Sequence, residues 1–321
     1  MSKYTVIAID EADMDYNFER KVLDPIEAEI KIHSYVDEAT LLPVLPEADA
    51  VLVALTPITE AVCGALTKCK VISRYGIGVD NIDIPAATRA GIQVARVPDY
   101  AFEDVSDHAL ALLLDCIRSI SYYDRQVRGN RWHFTTERPV HRIAGHVLGL
   151  LGFGAIGRVM RRKVSGLGLS RVLAYDPYLG EDVAREHNVE LVDLDTLLGE
   201  SDYISVHSPL TDETKSIINA DSIAKMKDGA IIVNTARGPI IDEVAIADAL
   251  KSNKLAFAGL DVNINEPLED DSPLRNLDNI ILTGHSAWYS IEANEELRTK
   301  GAVNVREALL GNPCPYPCNE V

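Results

Sequence analysis

The sequence predicts an α/β protein with two parallel sheets, each covered by helices, and three observations carry that expectation. Short β-branched runs alternate with amphipathic helical stretches almost throughout, the order that gives parallel strands joined by helical crossovers. Strand-like runs in the second half, such as Ala230–Asn234, are nearly continuous apolar segments, as expected where both sheet faces are covered. The length, 321 residues, is long for one domain and comfortable for two.

Taken in order, strands are expected at Thr5–Ile9, Ala50–Val53, Lys70–Ser73 and Ile92–Ala95, with helices around Ile58–Leu66 and Ile84–Ala90. A long helical stretch, roughly Glu103–Gly129, starts just after Pro98. A second set of strands follows at Val147–Leu151, Val172–Tyr175, Tyr203–Val206, Ala230–Asn234, Ala256–Leu260 and Ile280–Leu282. The last helix, about Ile291–Leu310, runs into Gly311-Asn-Pro313, a stop signal. With no strand after it, this helix must pack on something already built. It is expected to return to the first domain, making that domain discontinuous: residues 1–100 plus 292–321, around a second domain of 101–291.

Bulk composition narrows the function. Hydrophobic residues make up 47% and charged residues 25%, the profile of an ordinary globular protein. The formal net charge of −18 would repel nucleic-acid phosphates, and no basic stripe offsets it, so no nucleic-acid partner is expected. No apolar run is long enough to span a bilayer, and the N-terminus lacks the apolar region and cleavage site of a signal peptide. A cytoplasmic protein with no membrane partner is therefore expected. Five cysteines, Cys63, Cys69, Cys116, Cys314 and Cys318, are few and odd in number, which favours free thiols. Cys314-Pro-Tyr-Pro-Cys318 has a spacing that could bind a metal, but no second Cys/His pair completes four ligands, and no metal is expected.

The first chemical motif is Gly152-Phe-Gly154-Ala155-Ile156-Gly157, which follows a strand and opens a helix. Gly152 permits the tight turn, Gly154 lets the backbone approach a pyrophosphate, and Gly157 lets the helix pack on the strand. The helix N-terminus then offers free N–H groups to phosphates. Such a loop can also be purely structural. Here, however, the next strand ends in Asp176, 19 residues after Gly157, where a carboxylate can accept both ribose hydroxyls and would repel a 2′-phosphate. Pro177 and Tyr178 follow, so no arginine stands there to receive one, and NAD is favoured over NADP. The second domain thus reads as Rossmann-like. L-specific lactate and malate dehydrogenases begin with this motif, which here starts only at Gly152. Short-chain dehydrogenases need Tyr-x-x-x-Lys, and no tyrosine here has lysine four residues later.

Further segments fall into one pattern: Ser73-Arg-Tyr-Gly76-Ile-Gly78-Val-Asp80-Asn-Ile-Asp83, the loop at Gly152, His207-Ser-Pro209-Leu-Thr211, Asn234-Thr-Ala-Arg237-Gly238, Asp261 with Glu266-Pro267, and His285-Ser-Ala-Trp288. In this order and spacing the chain resembles the D-isomer-specific 2-hydroxyacid dehydrogenases over essentially its whole length. Within that family it is most similar to the branch of phosphoglycerate dehydrogenases and C-terminal-binding proteins. The resemblance implies two Rossmann-like domains, a substrate domain and an NAD domain with a cleft between them, and a homodimer built largely on the NAD domain.

The chemistry required of such an enzyme matches the residue types. Oxidising a 2-hydroxy acid takes a hydride from C2 and a proton from its hydroxyl, and the reverse needs a proton donor. His285, after the strand Ile280–Leu282, suits that role because imidazole exchanges protons near neutral pH, and the family's acid–base histidine falls there. Glu266 would orient the imidazole and favour its protonated form, raising its pKa; formate dehydrogenases of the family carry glutamine there. Arg237 can hold the substrate carboxylate and polarise the C2 oxygen. Asp261 resembles the carboxylate that accepts from the nicotinamide carboxamide, a structural cap being its competing role. Ala155, Ile156, Thr235 and Ala236 fall in the matched cofactor loops, and His207 and Pro209 match the strip beside the adenosine.

On the substrate side, Gly76-Ile77-Gly78 would give backbone N–H groups to the carboxylate, or else form a plain tight turn. Arg74 and Tyr75 are candidates to face the substrate's second substituent, and Trp288 to line the pocket, the dimer contact or the core. His33, His108, His133, His141, His146 and His187 lack such settings, although His108 follows Asp107 near the start of the long helix and merits attention. One departure stands out: many relatives have proline before the catalytic histidine, and this chain has Gly284, so the histidine's placement must come from Glu266 and packing.

Two functions from different classes result. One is an enzyme transferring a hydride between NAD(H) and a small 2-hydroxy or 2-oxo acid; the other is an NAD(H)-sensing, co-repressor-like binding protein, against which stand the compact length and the lack of long tails. Which acid is used stays open. The few residues after the last helix argue against the regulatory domain that serine-pathway phosphoglycerate dehydrogenases often carry, while a short phosphoglycerate dehydrogenase remains compatible.

Overall fold

The computed structural model describes residues 2–9, 15–132 and 139–321. The chain divides into two compact units, Met1–Tyr100 with Ser290–Val321, and Ala101–Tyr289. Among the described residues, each unit holds one all-parallel sheet covered by helices, so the fold class is the α/β arrangement expected from the alternating pattern.

In the first unit the strands are β1 (Tyr4–Ile9), β2 (Ala28–His33), β3 (Ala50–Val53), β4 (Val71–Arg74) and β5 (Gln93–Ala95), in the order β2-β1-β3-β4-β5. This is one of the two common doubly wound orders. Alternation sorts the side chains. Ile7, Val51 and Ile72 face one layer with Val62 and Ala87 from the helices Glu60–Ala65 and Ile84–Arg89. Val6, Ala8, Leu52 and Val71 face the other, with Leu23 and with Ala302, Val305 and Leu309 of the helix Ile291–Leu310. That last helix is capped by Ser290 Oγ, which accepts from Ala293 N–H at 2.9 Å, and ends at Gly311 with φ +80°. The tail beyond it pairs with β5: Arg96 N–H donates to Tyr316 O and Cys318 N–H to Val94 O at 2.8 Å. Cys318 packs against the core, and Cys314 Sγ lies 3.6 Å from Asn304 Oδ1.

Strand β2 was not anticipated from sequence. It sits at the sheet edge and reads Ala-Glu-Ile-Lys-Ile-His, so its charged outward residues hide the apolar run that marks the central strands.

The second unit contains β6 (Val147–Leu151), β7 (Arg171–Tyr175), β8 (Glu190–Leu191), β9 (Tyr203–Val206), β10 (Ala230–Asn234), β11 (Leu255–Leu260) and β12 (Ile280–Leu282). Their order, β12-β11-β10-β9-β6-β7-β8, reverses direction between β6 and β9. In open parallel sheets ligands bind at the carboxyl ends of the strands beside such a switch point. Every residue of β9 and β10 is buried, in keeping with their continuous apolar sequence.

The long helix expected over 103–129 is interrupted. Phe102–Arg118 and Ile120–Arg128 are separate helices, with Ser119 between them at φ +54°. Asp115 accepts from the Ser121 N–H at 2.8 Å and from its hydroxyl, a side-chain bond that competes with continuing the helix. No glycine or proline marks the break.

Candidate active site

The glycine loop leaves β6 exactly where the sheet order reverses. Gly152 has φ +91°, and a Cβ there would lie 2.6 Å from Ser208 N and 2.8 Å from His207 C, so the loops after β6 and β9 touch backbone to backbone. A Cβ on Gly157 would meet Gly152 O at 2.7 Å, which is the close helix–strand approach. Above Gly154, by contrast, there is open space. The amides of Ala155, Ile156 and Gly157 precede the first intrahelical bond, from Arg158 N–H to Gly154 O at 3.0 Å, and remain for a ligand.

Asp176 follows β7 and accepts from Phe153 N–H and Tyr178 N–H, both at 3.0 Å, so its carboxylate is held against the glycine loop. The Tyr178 hydroxyl donates to Glu213 at 3.1 Å, which adds a second carboxylate to this rim. His207 directly follows β9, with its Nε2 at 2.9 Å from Ser205 Oγ, and burial pushes its pKa down to about 4, so the ring is neutral at ordinary pH. Pro209 beside it is exposed. The buried Thr235 Oγ1 and Asn263 Oδ1 have no hydrogen-bond partner, an unusual state for buried polar atoms and one that a bound polar group would relieve. Open space over Gly154, free helix amides, a placed carboxylate and two orphaned polar atoms together fit a dinucleotide.

The acid–base candidates gather at the ends of β10, β11 and β12. Glu266 Oε2 lies 2.6 Å from His285 Nδ1, while its Oε1 accepts from Asn263 N–H at 3.0 Å. Both side chains are partly accessible, 27% for His285 and 29% for Glu266. Burial pulls the Glu266 pKa up, but the His285 hydrogen bond and charge, the Asn263 amide and the Arg237 charge outweigh it, and the net shift is downward. Arg237 follows β10 in a turn held by Asn234, whose Oδ1 accepts from Ala236 N–H and whose Nδ2 donates to Arg237 O. Its guanidinium also donates to Ala236 O at 2.8 Å. The next residue, Gly238, presses on the loop carrying Glu266: a Cβ there would lie 2.0 Å from Asn263 C and O.

Asp261 is 1% exposed and receives Thr283 Oγ1–H at 2.6 Å, Ser286 N–H at 2.9 Å and Ala287 N–H at 2.9 Å. The capping role weighed for it in the sequence is therefore realised, with Oδ2 keeping capacity for one more donor. Trp288 is half-buried, its ring edge-on to Tyr289 at 5.6 Å.

In the first unit, Gly76 has φ +141°, and a Cβ there would lie 1.4 Å from Arg74 Nη1, so only glycine lets that arginine fold over the turn. Among the described residues the amides of Gly76, Ile77 and Gly78 meet no acceptor. Tyr75 is placed differently from the expectation of a substrate contact. Its hydroxyl donates to the buried Glu19 at 2.9 Å and its ring packs where a Cβ on Gly301 would lie 2.8 Å away. Arg298 closes the same cluster with two bonds to Glu19 at 2.8 and 2.7 Å. The pull came from a buried carboxylate distant in sequence, for which no local signal existed.

Of the remaining histidines, His146 stacks on Tyr203 and lies beside His141, His187 meets Phe153 edge-on, and His33 ends β2. His133 lies outside the described residues. His108, by contrast, has its Nε2 3.0 Å from Thr283 Oγ1. Sequence reasoning missed Thr283 and Asn263, because neither residue type signals a role by itself.

Known proteins agree with this picture. A profile described as D-isomer specific 2-hydroxyacid dehydrogenase, NAD binding domain, matches residues 110–287. The D-3-phosphoglycerate dehydrogenase of Mycobacterium leprae is 40% identical over 284 residues, covering 88% of this chain and 53% of that protein. The chain thus spans about half the length of the phosphoglycerate dehydrogenases it matches. The glyoxylate reductase of Korarchaeum cryptofilum is 37% identical over 297 residues, covering 90% of this chain and 88% of that one. Among solved structures, D-lactate dehydrogenase from Aquifex aeolicus complexed with NAD and lactic acid superposes with a TM-score of 0.87 at 28% identity, covering 96% of each chain.

Proposed function

The chain belongs to the D-isomer-specific 2-hydroxyacid dehydrogenases and carries their NAD-binding domain, and from that premise we propose that it moves a hydride reversibly between NAD(H) and a small D-2-hydroxy or 2-oxo acid. The observation that carries this reading is the 2.6 Å contact of Glu266 with His285 Nδ1 at the sheet edge where the Arg237 turn also ends. That contact leaves His285 Nε2 as the ring nitrogen for a substrate oxygen.

When bound, NAD supplies the hydride acceptor, and NADH the donor. The chain's own residues do the rest. Gly154 and the amides of Ala155–Gly157 hold the pyrophosphate, and Asp176 accepts from the ribose. Thr235, Ala236, His207 and Pro209 border the same cofactor, and Asp261 Oδ2 is assigned to the nicotinamide carboxamide. Arg237 orients the substrate carboxylate and polarises the C2 oxygen, as a guanidinium fork can. His285 gives a proton to that oxygen in reduction and takes it back in oxidation, and the Glu266 carboxylate at Nδ1 holds the ring in orientation for this exchange. In the first unit, the open amides of Gly76, Ile77 and Gly78 form a small anion nest suited to a carboxylate. We assign this unit to substrate and the second to cofactor, with Trp288 lining the site.

Glyoxylate, hydroxypyruvate and 3-phosphohydroxypyruvate are the leading substrates, since relatives are named for acids of this kind. Following NADH absorbance with these and pyruvate tests the proposal. Turnover of at least one is expected, and His285→Ala should abolish it while NADH still binds. NADH binding without turnover of any acid would restore the nucleotide-sensing reading, which relatives named as dehydrogenases and reductases do not favour.

We also propose a homodimer. Ile120, Val127, Trp132 and Val140 are exposed at 59%, 49%, 86% and 37%, and the helix Ile120–Arg128 buries none of its residues within the unit. Exposed apolar side chains on a helix that buries nothing in its own unit fit a contact with a second copy of the chain. No helix among the described residues is long and apolar enough to cross a membrane, and Cys63, Cys69 and Cys116 are buried free thiols, which suits a cytoplasmic setting.

A further inference from the structure

We infer that His108 is a positioning residue for the proposed reaction, acting through Thr283 and Asp261 on the turn that carries His285. The inference rests on the reading of His285 as the acid–base group. Three consecutive N–H groups converge on one residue. His285 N–H donates to Asp261 O at 2.7 Å, Ser286 N–H to Asp261 Oδ1 at 2.9 Å and Ala287 N–H to Asp261 Oδ2 at 2.9 Å. Successive amides can converge like this only when the chain turns through a left-handed residue, and His285 supplies it with φ +52°. Positive φ is uncommon for any residue other than glycine, and the three bonds to Asp261 are what hold the turn in it.

Asp261 is itself almost fully buried, and its charge is tolerable only if its oxygens stay hydrogen-bonded. Besides the amides, Oδ1 receives the Thr283 hydroxyl at 2.6 Å and the Ser286 hydroxyl at a longer 3.4 Å, so Thr283 is its close side-chain donor. Because a carboxylate only accepts, the hydroxyl proton is committed to Asp261. Thr283 Oγ1 must then accept from His108 Nε2–H, which lies 3.0 Å away and also faces Asp261 Oδ1 at 3.6 Å. The donor order is thereby fixed as His108 to Thr283 to Asp261, with the His108 proton on Nε2. His108 stands on the helix Phe102–Arg118, so that helix is tied to the mount of the acid–base residue. Without His108 the Thr283 oxygen is braced only from the Asp261 side, so the threonine and the carboxylate it serves are positioned less firmly, and the turn that aims the His285 ring at Glu266 loses part of its support.

The test measures kcat, NADH affinity and the His285 ring resonances of the unliganded full chain in His108→Ala, Thr283→Val, the double variant, and the conservative His108→Gln and Thr283→Ser. Each disruptive single variant should lower kcat about tenfold and the double variant no more than the worse single, because the residues act as one unit. NADH affinity should change less than about twofold while the His285 resonances move, a split that general destabilisation would not produce. His108→Gln and Thr283→Ser, which keep a donor in place, should restore most of the loss. Unmoved His285 resonances with unchanged kcat, multiplicative losses in the double variant, or a His108→Gln as impaired as His108→Ala would each overturn the inference. If the wild-type chain turns over no 2-oxo acid, the dehydrogenase reading fails, while the His285 resonances still decide whether His108 positions that residue.

Discussion

At Glu266, burial and hydrogen bonding act in opposite directions, and bonding to His285 wins. A carboxyl whose folded pKa lies below its ordinary 4.5 contributes stability that is present above that value and lost as pH falls through the folded one. His207 titrates in a different window. Its folded pKa of about 4 lies below the ordinary 6.5, so between these values the unfolded chain binds a proton that the folded chain refuses. Stability from the neutral His207 is therefore complete above 6.5 and declines as pH drops toward 4. Urea midpoints measured from pH 7 to 4.5 should fall less steeply in His207→Gln than in the wild type. Glu266→Gln should lower kcat for 2-oxo-acid reduction by about tenfold to a hundredfold, with NADH affinity little changed, as steady-state kinetics and fluorescence titration would show. At this scale the glycines of the loop were legible because each has a steric duty visible in its spacing. The bonds around Asp261 were not, because they depend on the backbone angle of His285, which residue type does not reveal.

Among the elements, the two loops carrying Arg237 and Glu266 meet at Gly238, and Gly284 precedes His285. These glycines look alike in sequence and differ in structure. A Cβ at 238 would run into the Asn263 peptide, whereas a Cβ at 284 would meet nothing, and Gly284 does not have positive φ. Gly238→Ala should cost about 1–3 kcal/mol through overpacking and depress kcat by spreading the two loops, as read from urea unfolding and turnover. Gly284→Ala should instead stabilise by about 0.5 kcal/mol through the unfolded chain, with turnover retained. The bond from His285 N–H to Asp261 O also means that the turn is held from its backbone, compensating for the freedom of Gly284. Central strands were legible from their unbroken apolar runs. The edge strand β2, the two-residue β8 and the break at Ser119 were not, because charged edge positions and a side-chain bond from Asp115 leave no periodic or glycine signal.

For the whole molecule, the α/β class followed from alternation, while the strand orders required the structure, since crossover connections do not announce which neighbour a strand will pair with. The order reversal between β6 and β9 places the glycine loop and His207 on the same side of the sheet, where Asp176 and Glu213 add negative charge to the rim. Asp176→Ala should weaken NADH binding about tenfold to a hundredfold and narrow the preference over NADPH, measured by fluorescence titration with both cofactors. The proposed dimer is probed by Trp132→Glu, which is expected to shift the chain from twice its 35.2 kDa toward one copy in light scattering.

The left-handed turn at His285 has a practical consequence. Since the mount is made by main-chain amides reaching Asp261, the imidazole can be exchanged without dismantling it, provided that the newcomer accepts positive φ. Asparagine does so more readily than almost any other residue with a side chain. His285→Asn is thus the natural trap: an inert chain with an undisturbed frame, in which NADH and an unreduced 2-oxo acid could be captured together and seen.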